Sequence, residues 1–297
     1  MHPFLINIGS FHLPTYGVML VLAILGAIFI SIRLGRTVGF DSAQILDFGT
    51  WVILVALIGA KVLMILTEWD YFRERPREIF SYSTLMAGGV FYGGFLAALI
   101  FTIWYVRVRK FSFWRLTDVL APAVALGQSL GRLGCYSAGC DYGKPTAAPW
   151  GVIFTSPFAH EVAGVPLGVR LHPTQLYESM ATLAIFSVLL FWFPRKKHDG
   201  DIFLGYLGMY AVARFFLEFL RGDEDRGFVF NHLFSTSQFI ALLAITGILT
   251  VFIWRHFRGG KDLSGDSGGG KRSDQKTSKA PTRVRFTVES APKRAKS

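Results

Sequence analysis

Apolar residues in this chain gather into long runs rather than alternating with polar ones, and glycine, proline and charged residues punctuate the gaps. A helix advances 1.5 Å per residue, so about 20 apolar residues are needed to cross a hydrocarbon layer of about 30 Å. Seven stretches approach or exceed that length and predict transmembrane helices over 14–33, 43–66, 85–106, 116–136, 174–194, 201–221 and 234–256. The fourth is the most polar. Asp118, Pro122, Gln128 and Arg132 interrupt it, and the Gly-rich residues that follow predict a loop folding back toward the membrane. Backbone of that kind persists at membrane depth only where protein or water covers it.

Composition agrees with the pattern. With 297 residues, 52% of them hydrophobic and only 17% charged, the chain is too apolar for an ordinary soluble domain. The expected fold is an all-α integral membrane protein. No basic stretch precedes the first run and no small-residue cleavage site follows it, so that span is expected to stay in the mature protein.

Charge sets the orientation. Arg33 and Arg36 follow the first span, Arg107, Arg109, Lys110 and Arg115 the third, and Arg195, Lys196 and Lys197 the fifth. Basic loops favour the cytoplasmic side, which puts the N-terminus outside, the C-terminus in the cytoplasm and the loop from about 137 to 173 outside. The loop with Arg73, Arg75 and Arg77 carries as many acids, and its Trp69, Tyr71 and Phe72 suit a segment lying at the interface.

Two regions follow: a transmembrane catalytic domain over 1–257 and a basic cytoplasmic tail over 258–297, too poor in apolar residues to fold alone. The tail has 11 basic against 4 acidic residues, about +7 of the chain's net +11. Without aromatic stacking platforms it predicts attraction to anionic lipids and no nucleic acid. Cys135 and Cys140 are too few for a disulfide framework and their offset matches no standard zinc spacing.

Ionisable side chains inside a membrane are costly and usually face a protein-lined cavity, so they map where function lies. Tyr210, Arg214, Glu218 and Arg221 fall at offsets that align them along one helical stripe. Two readings stand: a substrate-facing stripe, or an Arg214–Glu218 pair one turn apart with Arg221 near the cytoplasmic end, where it snorkels. The segment Gly131-Arg132-Leu133-Gly134-Cys135, continuing to Thr146, offers backbone that a ligand can approach and a guanidinium fork suited to phosphate. It is equally an ordinary turn. His172-Pro173-Thr174-Gln175-Leu176-Tyr177-Glu178 opens the fifth span, as a polar site or as helix capping with an interfacial tyrosine. Gly88, Gly89, Gly93 and Gly94 around Tyr92 form a ligand contact or a close-packing helix face.

Taken in order, Tyr16-Gly17, the Gly-Gly-containing third span, Gly131-Arg132-Leu133-Gly134 with Gly143 and Thr146, the His172–Glu178 run and the stripe from Tyr210 to Arg221 resemble the prolipoprotein diacylglyceryl transferase family over nearly the whole chain except the tail. The resemblance implies a multi-pass enzyme of the bacterial inner (cytoplasmic) membrane. It implies phosphatidylglycerol as donor, the lipobox cysteine of a prolipoprotein signal peptide as acceptor, glycerol 1-phosphate as leaving group, and no metal or cofactor. Catalytic roles fall on Arg132, Arg214, Tyr210, Tyr92 and His172. Substrate-binding roles fall on Arg132, Tyr16, Gly93, Gly94, Gly131, Gly134, Gln175, Glu178, Glu218 and Arg221, with Asp118 in support. The chain departs from the family pattern where Tyr92 replaces a common histidine and where Cys135, Ala138 and Cys140 replace two asparagines and a glutamate. A non-catalytic lipoprotein-binding homologue and a lipid flippase or transporter are the rival readings. No repeat between the halves favours the last.

Overall fold

The computed structural model describes residues 4–8, 11–81, 84, 89–222, 228–229 and 234–261. A hairpin of β1 (Phe4–Ile8) and β2 (Phe11–Pro14) leads into α1 (Thr15–Thr37), followed by α2 (Ser42–Thr67) and the short α3 (Trp69–Glu74). Next come α4 (Phe91–Arg109) and α5 (Phe113–Ala138), then a loop layer holding β3 (Val152–Ile153), α6 (Pro157–Ala163) and β4 (Arg170–Leu171). The chain continues through α7 (Thr174–Trp192), α8 (Asp201–Leu217), the pair β5 (Phe228–Val229) and β6 (Phe234–Ser235), and α9 (Thr236–Lys261). Compact packing extends to Phe252, and from Ile253 a second unit begins. The basic tail beyond Lys261 lies outside the described residues.

Each predicted span falls on a long helix. Among the described residues, five helices (α1, α2, α4, α7 and α8) are long and apolar enough to cross a membrane, so this is a multi-pass helical membrane protein. Many of their large apolar side chains face outward, among them Val21, Leu25, Phe29, Leu57, Ile58 and Ile100, as expected where lipid is the solvent. The edges differ from the hydropathy reading. The third helix begins at Phe91 rather than 85, because Val90 is extended and hydrogen-bonds back to Ala60. The fourth runs from Phe113 to Ala138: polar residues lower its hydropathy without breaking its backbone, and the Ser112 side chain caps its start. Gly131-Arg132-Leu133-Gly134 lies within this helix, as the span over 116–136 predicts, and not in a turn. The turn comes only at Gly139, whose φ of +84° closes the helix in a left-handed conformation that glycine adopts without strain.

Small residues bring the helices together. Gly59 of α2 and Gly93 of α4 meet backbone to backbone: a Cβ added at Gly59 would lie 2.6 Å from the Gly93 carbonyl oxygen, and one added at Gly94 would lie 2.9 Å from that of Ala56. Gly93→Leu is expected to push α4 off α2 and cost about 1–3 kcal/mol by overpacking, read as a lower unfolding temperature in detergent. A wild-type melting curve would remove this contact from the account. Between α5 and α7, Ser129 and Ser179 exchange side-chain hydrogen bonds with each other's carbonyl oxygens, both at 2.9 Å. That contact sets Arg132 and Glu178 side by side.

The two ends of the bundle differ. At one end lies an apolar core that includes Phe40, Phe48, Tyr105, Leu116, Leu189 and Ile202. There the buried Asp118 accepts from Lys196 Nζ (2.7 Å) and from the backbone N–H groups of Gly200 (2.8 Å) and Phe203 (2.9 Å). Asp118 thus satisfies amide donors at the start of α8 that a helix N-terminus leaves open. Burial by itself would depress the Lys196 ammonium, but its bonds to Asp118 and Asp199 outweigh that and raise it. Asp118 stands fourteen residues from Arg132, roughly 21 Å along the helix, so its work is done at the far end from the site. The opposite end is polar and is covered by the 139–173 loop, which has a small core of its own: Phe154, Ala159, Val165 and Leu171.

Candidate functional site

Four segments converge at the polar end. Arg132 comes from the last third of α5, Glu178 from the second turn of α7, Tyr210 and Arg214 from α8, and Glu218 from the 3-10 turn that ends it. Asp141 joins them from the loop after α5. Glu178 is the hub: Oε2 pairs with Arg132 Nε (3.1 Å) and Arg214 Nη1 (3.5 Å), while Oε1 accepts from the Tyr210 hydroxyl (2.9 Å) and Gln128 Nε2 (3.5 Å). Arg214 also pairs with Glu218 (3.0 Å) and donates to Ser237 Oγ (3.3 Å). Asp141 bridges two arginines, with Oδ2 on Arg132 Nη1 and Oδ1 on Arg221 Nη2, both at 2.6 Å. Tyr206 extends the network by donating to Gln128 Oε1 (2.9 Å), and its ring stacks on Tyr210.

Backbone bonds hold these loops in register. Gly143 N–H donates to the His172 carbonyl (3.1 Å), Lys144 N–H to Leu220 (2.8 Å) and Gly222 N–H to Tyr142 (3.0 Å). The segment 142–144 is thereby tied to the start of α7 and the end of α8 together. A Cβ at Gly143 would lie 3.0 Å from the Leu220 carbonyl and closer still to His172, so only glycine allows this three-way approach. Thr174 Oγ1 donates to the Asp141 carbonyl (2.7 Å) and Gln175 Nε2 to that of Cys140 (2.6 Å), which fixes the backbone carrying the bridging carboxylate.

On α8 the pairing reading of the stripe holds. Arg214 and Glu218 do pair one turn apart, and Arg214 also reaches across to α7. Arg221 corrects the earlier placement. The chain runs through α8 away from the basic loops, so Arg221 emerges at the end covered by the 139–173 loop, 7% exposed and ion-paired. It does not snorkel at the other end.

Other expected residues lie around the cluster. The Tyr16 phenol, at the start of α1, is within electrostatic reach of Arg132, Cys135, Cys140 and Asp141. Gly134 packs on Tyr16 and Met19, while the space beside Gly131 is open. The His172 imidazole meets the Tyr177 hydroxyl (3.2 Å), which accepts from Trp150 Nε1 (2.8 Å). Gly93 and Gly94 pack on α2, and Tyr92, about half exposed, contacts the Phe91 ring. Among the described residues, no hydrogen bond or ion pair of the cluster involves Tyr92 or the His172 ring.

Four positions were absent from the sequence reading as site members: Asp141, Tyr206, Gln128 and Ser237. A signal existed for the first, because the family often carries an acid at the position of Cys140 and here an acid stands one residue later. Burial would raise the Asp141 carboxyl, but the Arg132 and Arg221 guanidiniums outweigh it and hold it below the usual carboxylate range. The Cys140 thiol is pushed up, chiefly by its hydrogen bond to Cys135 and then by burial. Both cysteines are free thiols. Their sulfurs and an Asp141 oxygen lie within 4.8 Å of one another, but with that carboxylate already held by two guanidiniums a cation there would face strong repulsion.

The structure thus has the class of a helical membrane bundle with three arginines and three carboxylates interlocked near one end, a concentration of charge that marks a functional centre in membrane proteins. The family model for prolipoprotein diacylglyceryl transferase matches residues 3–254, and the chain belongs to that family. It is 35% identical over 256 residues to the phosphatidylglycerol–prolipoprotein diacylglyceryl transferase of Clostridium tetani, covering 86% of this chain and 97% of the relative. The enzyme of the same name from Acaryochloris marina is 34% identical, covering 75% of this chain and 80% of its own. That of Listeria monocytogenes is 30% identical, covering 87% and 91%.

Proposed function

We propose that this chain transfers the diacylglyceryl group of phosphatidylglycerol to the lipobox cysteine of prolipoproteins in the bacterial inner membrane. The carrying observation is the convergence of Arg132, Arg214 and Tyr210 on the buried Glu178, in a chain of this family. The precursor's thiol sulfur attacks the glyceryl carbon that bears the phosphate ester. A C–S bond forms, the C–O bond breaks, and the phosphate departs with the headgroup glycerol as glycerol 1-phosphate. Arg132 and Arg214 stabilise the charge that collects on the leaving phosphate, in a place where little water competes.

A thiol of pKa about 8.5 must lose its proton along this path, and the guanidinium field favours the thiolate. Tyr210 is the proton relay that the geometry favours over Tyr92 and His172, because its hydroxyl shares Glu178 with both arginines. Open space beside Gly131, next to Arg132, leaves room for the donor's glyceryl backbone. No metal or cofactor enters the scheme.

The purified full chain, given phosphatidylglycerol and a lipobox peptide, is expected to yield a thioether-linked diacylglyceryl peptide and glycerol 1-phosphate. Peptide binding without product would favour the binding homologue. Lipid movement across the bilayer without product would favour a transporter.

The reading includes seven spans over 1–257, the N-terminus outside, and the tail over 258–297 in the cytoplasm. An impermeant thiol reagent added outside is expected to label a cysteine placed at Ala159 and to spare one placed at Ser278. The reverse pattern would move the site to the other leaflet. Direct transfer also predicts that a Cys135→Ser, Cys140→Ser double variant keeps substantial activity and that no lipid adduct forms on the wild-type enzyme. A diacylglyceryl adduct on either cysteine in intact-mass analysis during turnover would mean covalent catalysis.

A further inference from the structure

Charge balance at the site poses a difficulty for an anionic substrate. Among the described residues, Arg132, Arg214 and Arg221 each already hold at least one of Asp141, Glu178 and Glu218. A phosphodiester entering this poorly hydrated cluster must displace an anion already present.

The three carboxylates are not equally held. The side chains of Glu178 and Glu218 are 4% and 2% exposed and belong to helical backbone, whereas that of Asp141 is 31% exposed and stands on a loop. Asp141 also has a φ of +58°, a conformation uncommon outside glycine. Such residues gather at functional sites, where the strain is held by surrounding bonds. Its two oxygens each meet a different guanidinium at 2.6 Å. That is the arrangement the two non-bridging oxygens of a phosphodiester would take up between the same arginines. Arg132 would keep its place without it, because its Nε is separately held by Glu178.

We propose that Asp141 is a resident counter-ion that occupies the seat of the donor's phosphodiester between Arg132 and Arg221 and vacates it when the donor binds. The proposal rests on the reading of Arg132 as a phosphate ligand and adds Arg221 to that site. A monoanionic diester replaces a monoanionic carboxylate, so the charge in the seat is unchanged by the exchange. A phosphomonoester dianion would add one negative charge to it, which makes the seat selective for diesters. Asp141 is ionised at neutral pH, since its guanidinium partners hold the carboxyl low, and it therefore competes as a full anion.

The test uses the full chain in mixed micelles, with Asp141→Asn and Asp141→Gly. Both replacements tolerate the left-handed backbone. The readouts are the phosphatidylglycerol mole fraction at half-maximal rate and the inhibition constant of the soluble diester glycerophosphoglycerol. Removing a competing charge-assisted bond is expected to lower both by roughly tenfold. Glycerol phosphate, a monoester, should bind more weakly than the diester in the parent and in both variants. If both constants stay the same or rise while turnover falls, Asp141 is a positioning residue and the proposal is overturned. Loss of folded protein in both variants would overturn it as well, because the carboxylate would then be holding the arginines in place. Arg132→Lys in the same assay separates the two layers: if it leaves the diester's inhibition constant unchanged, the phosphate reading itself fails.

Discussion

Arg132→Lys is expected to lower diacylglyceryl transfer by roughly 10²- to 10³-fold, the range seen when one donor to a developing negative charge is removed, while the protein stays folded. The reason is shape rather than charge. Arg132 holds Glu178 through Nε and Asp141 through Nη1, so a single planar group spans two helices and a loop. A lysine ammonium is a point charge on a flexible stem and cannot hold both directions while presenting a flat edge to phosphate. Because positive charge is kept, Glu178 does not become an unpaired buried anion. Initial rates with phosphatidylglycerol and a lipobox peptide, set beside a melting curve, decide it. Near-normal turnover in folded protein would remove Arg132 from the chemistry.

Glu178→Ala should produce the largest loss of stability. Its carboxylate, nearly sealed from solvent, takes two guanidiniums, a phenol and an amide. Arg132 and Arg214 keep Asp141 and Glu218, but two arginines lose the buried anion they share, at a cost of about 3–5 kcal/mol. Glu178→Gln should lose less, because the amide oxygen can still accept from Tyr210. Denaturant titration in detergent measures both. A Glu178→Ala variant as stable as the parent would show that the cluster is solvated and that its bonds are not the ones described.

The helices were legible in the sequence because lipid imposes a length and an apolarity that a single chain displays openly. Their ends were less so. Val90 is extended because it pairs with Ala60 thirty residues away, and no local pattern records that. The stripe of Arg214 and Glu218 could be read from helical spacing, since both sit on nearly continuous helix. Glu178 could be noticed but not recognised as a hub: its partners Arg132 and Arg214 lie on other helices, brought near by the Ser129–Ser179 contact. Asp141 stayed hidden for the same reason. Its arginines stand 9 residues before it and 80 after it, and the loop between has no periodicity to read. Gly131 and Gly134 fell inside the span read over 116–136, but spacing alone left open whether they served a ligand or a turn, and Gly134 proves to be a packing surface for α1.

The capping of α8 by Asp118 carries a consequence for how the protein is made. Of the long helices, α5 is not among those apolar enough to enter lipid unaided, and its polar groups find their partners late. The amides that Asp118 receives lie 82 and 85 residues downstream, and the hydroxyl that meets Gln128 lies 78 downstream. When α5 leaves the ribosome, none of these exists. Until they do, Asp118, close to the start of α5, keeps water in place of those donors. Its capping bonds are thus the last part of α5 to be completed, and truncation before α8 is expected to leave this end of the helix accessible to protease.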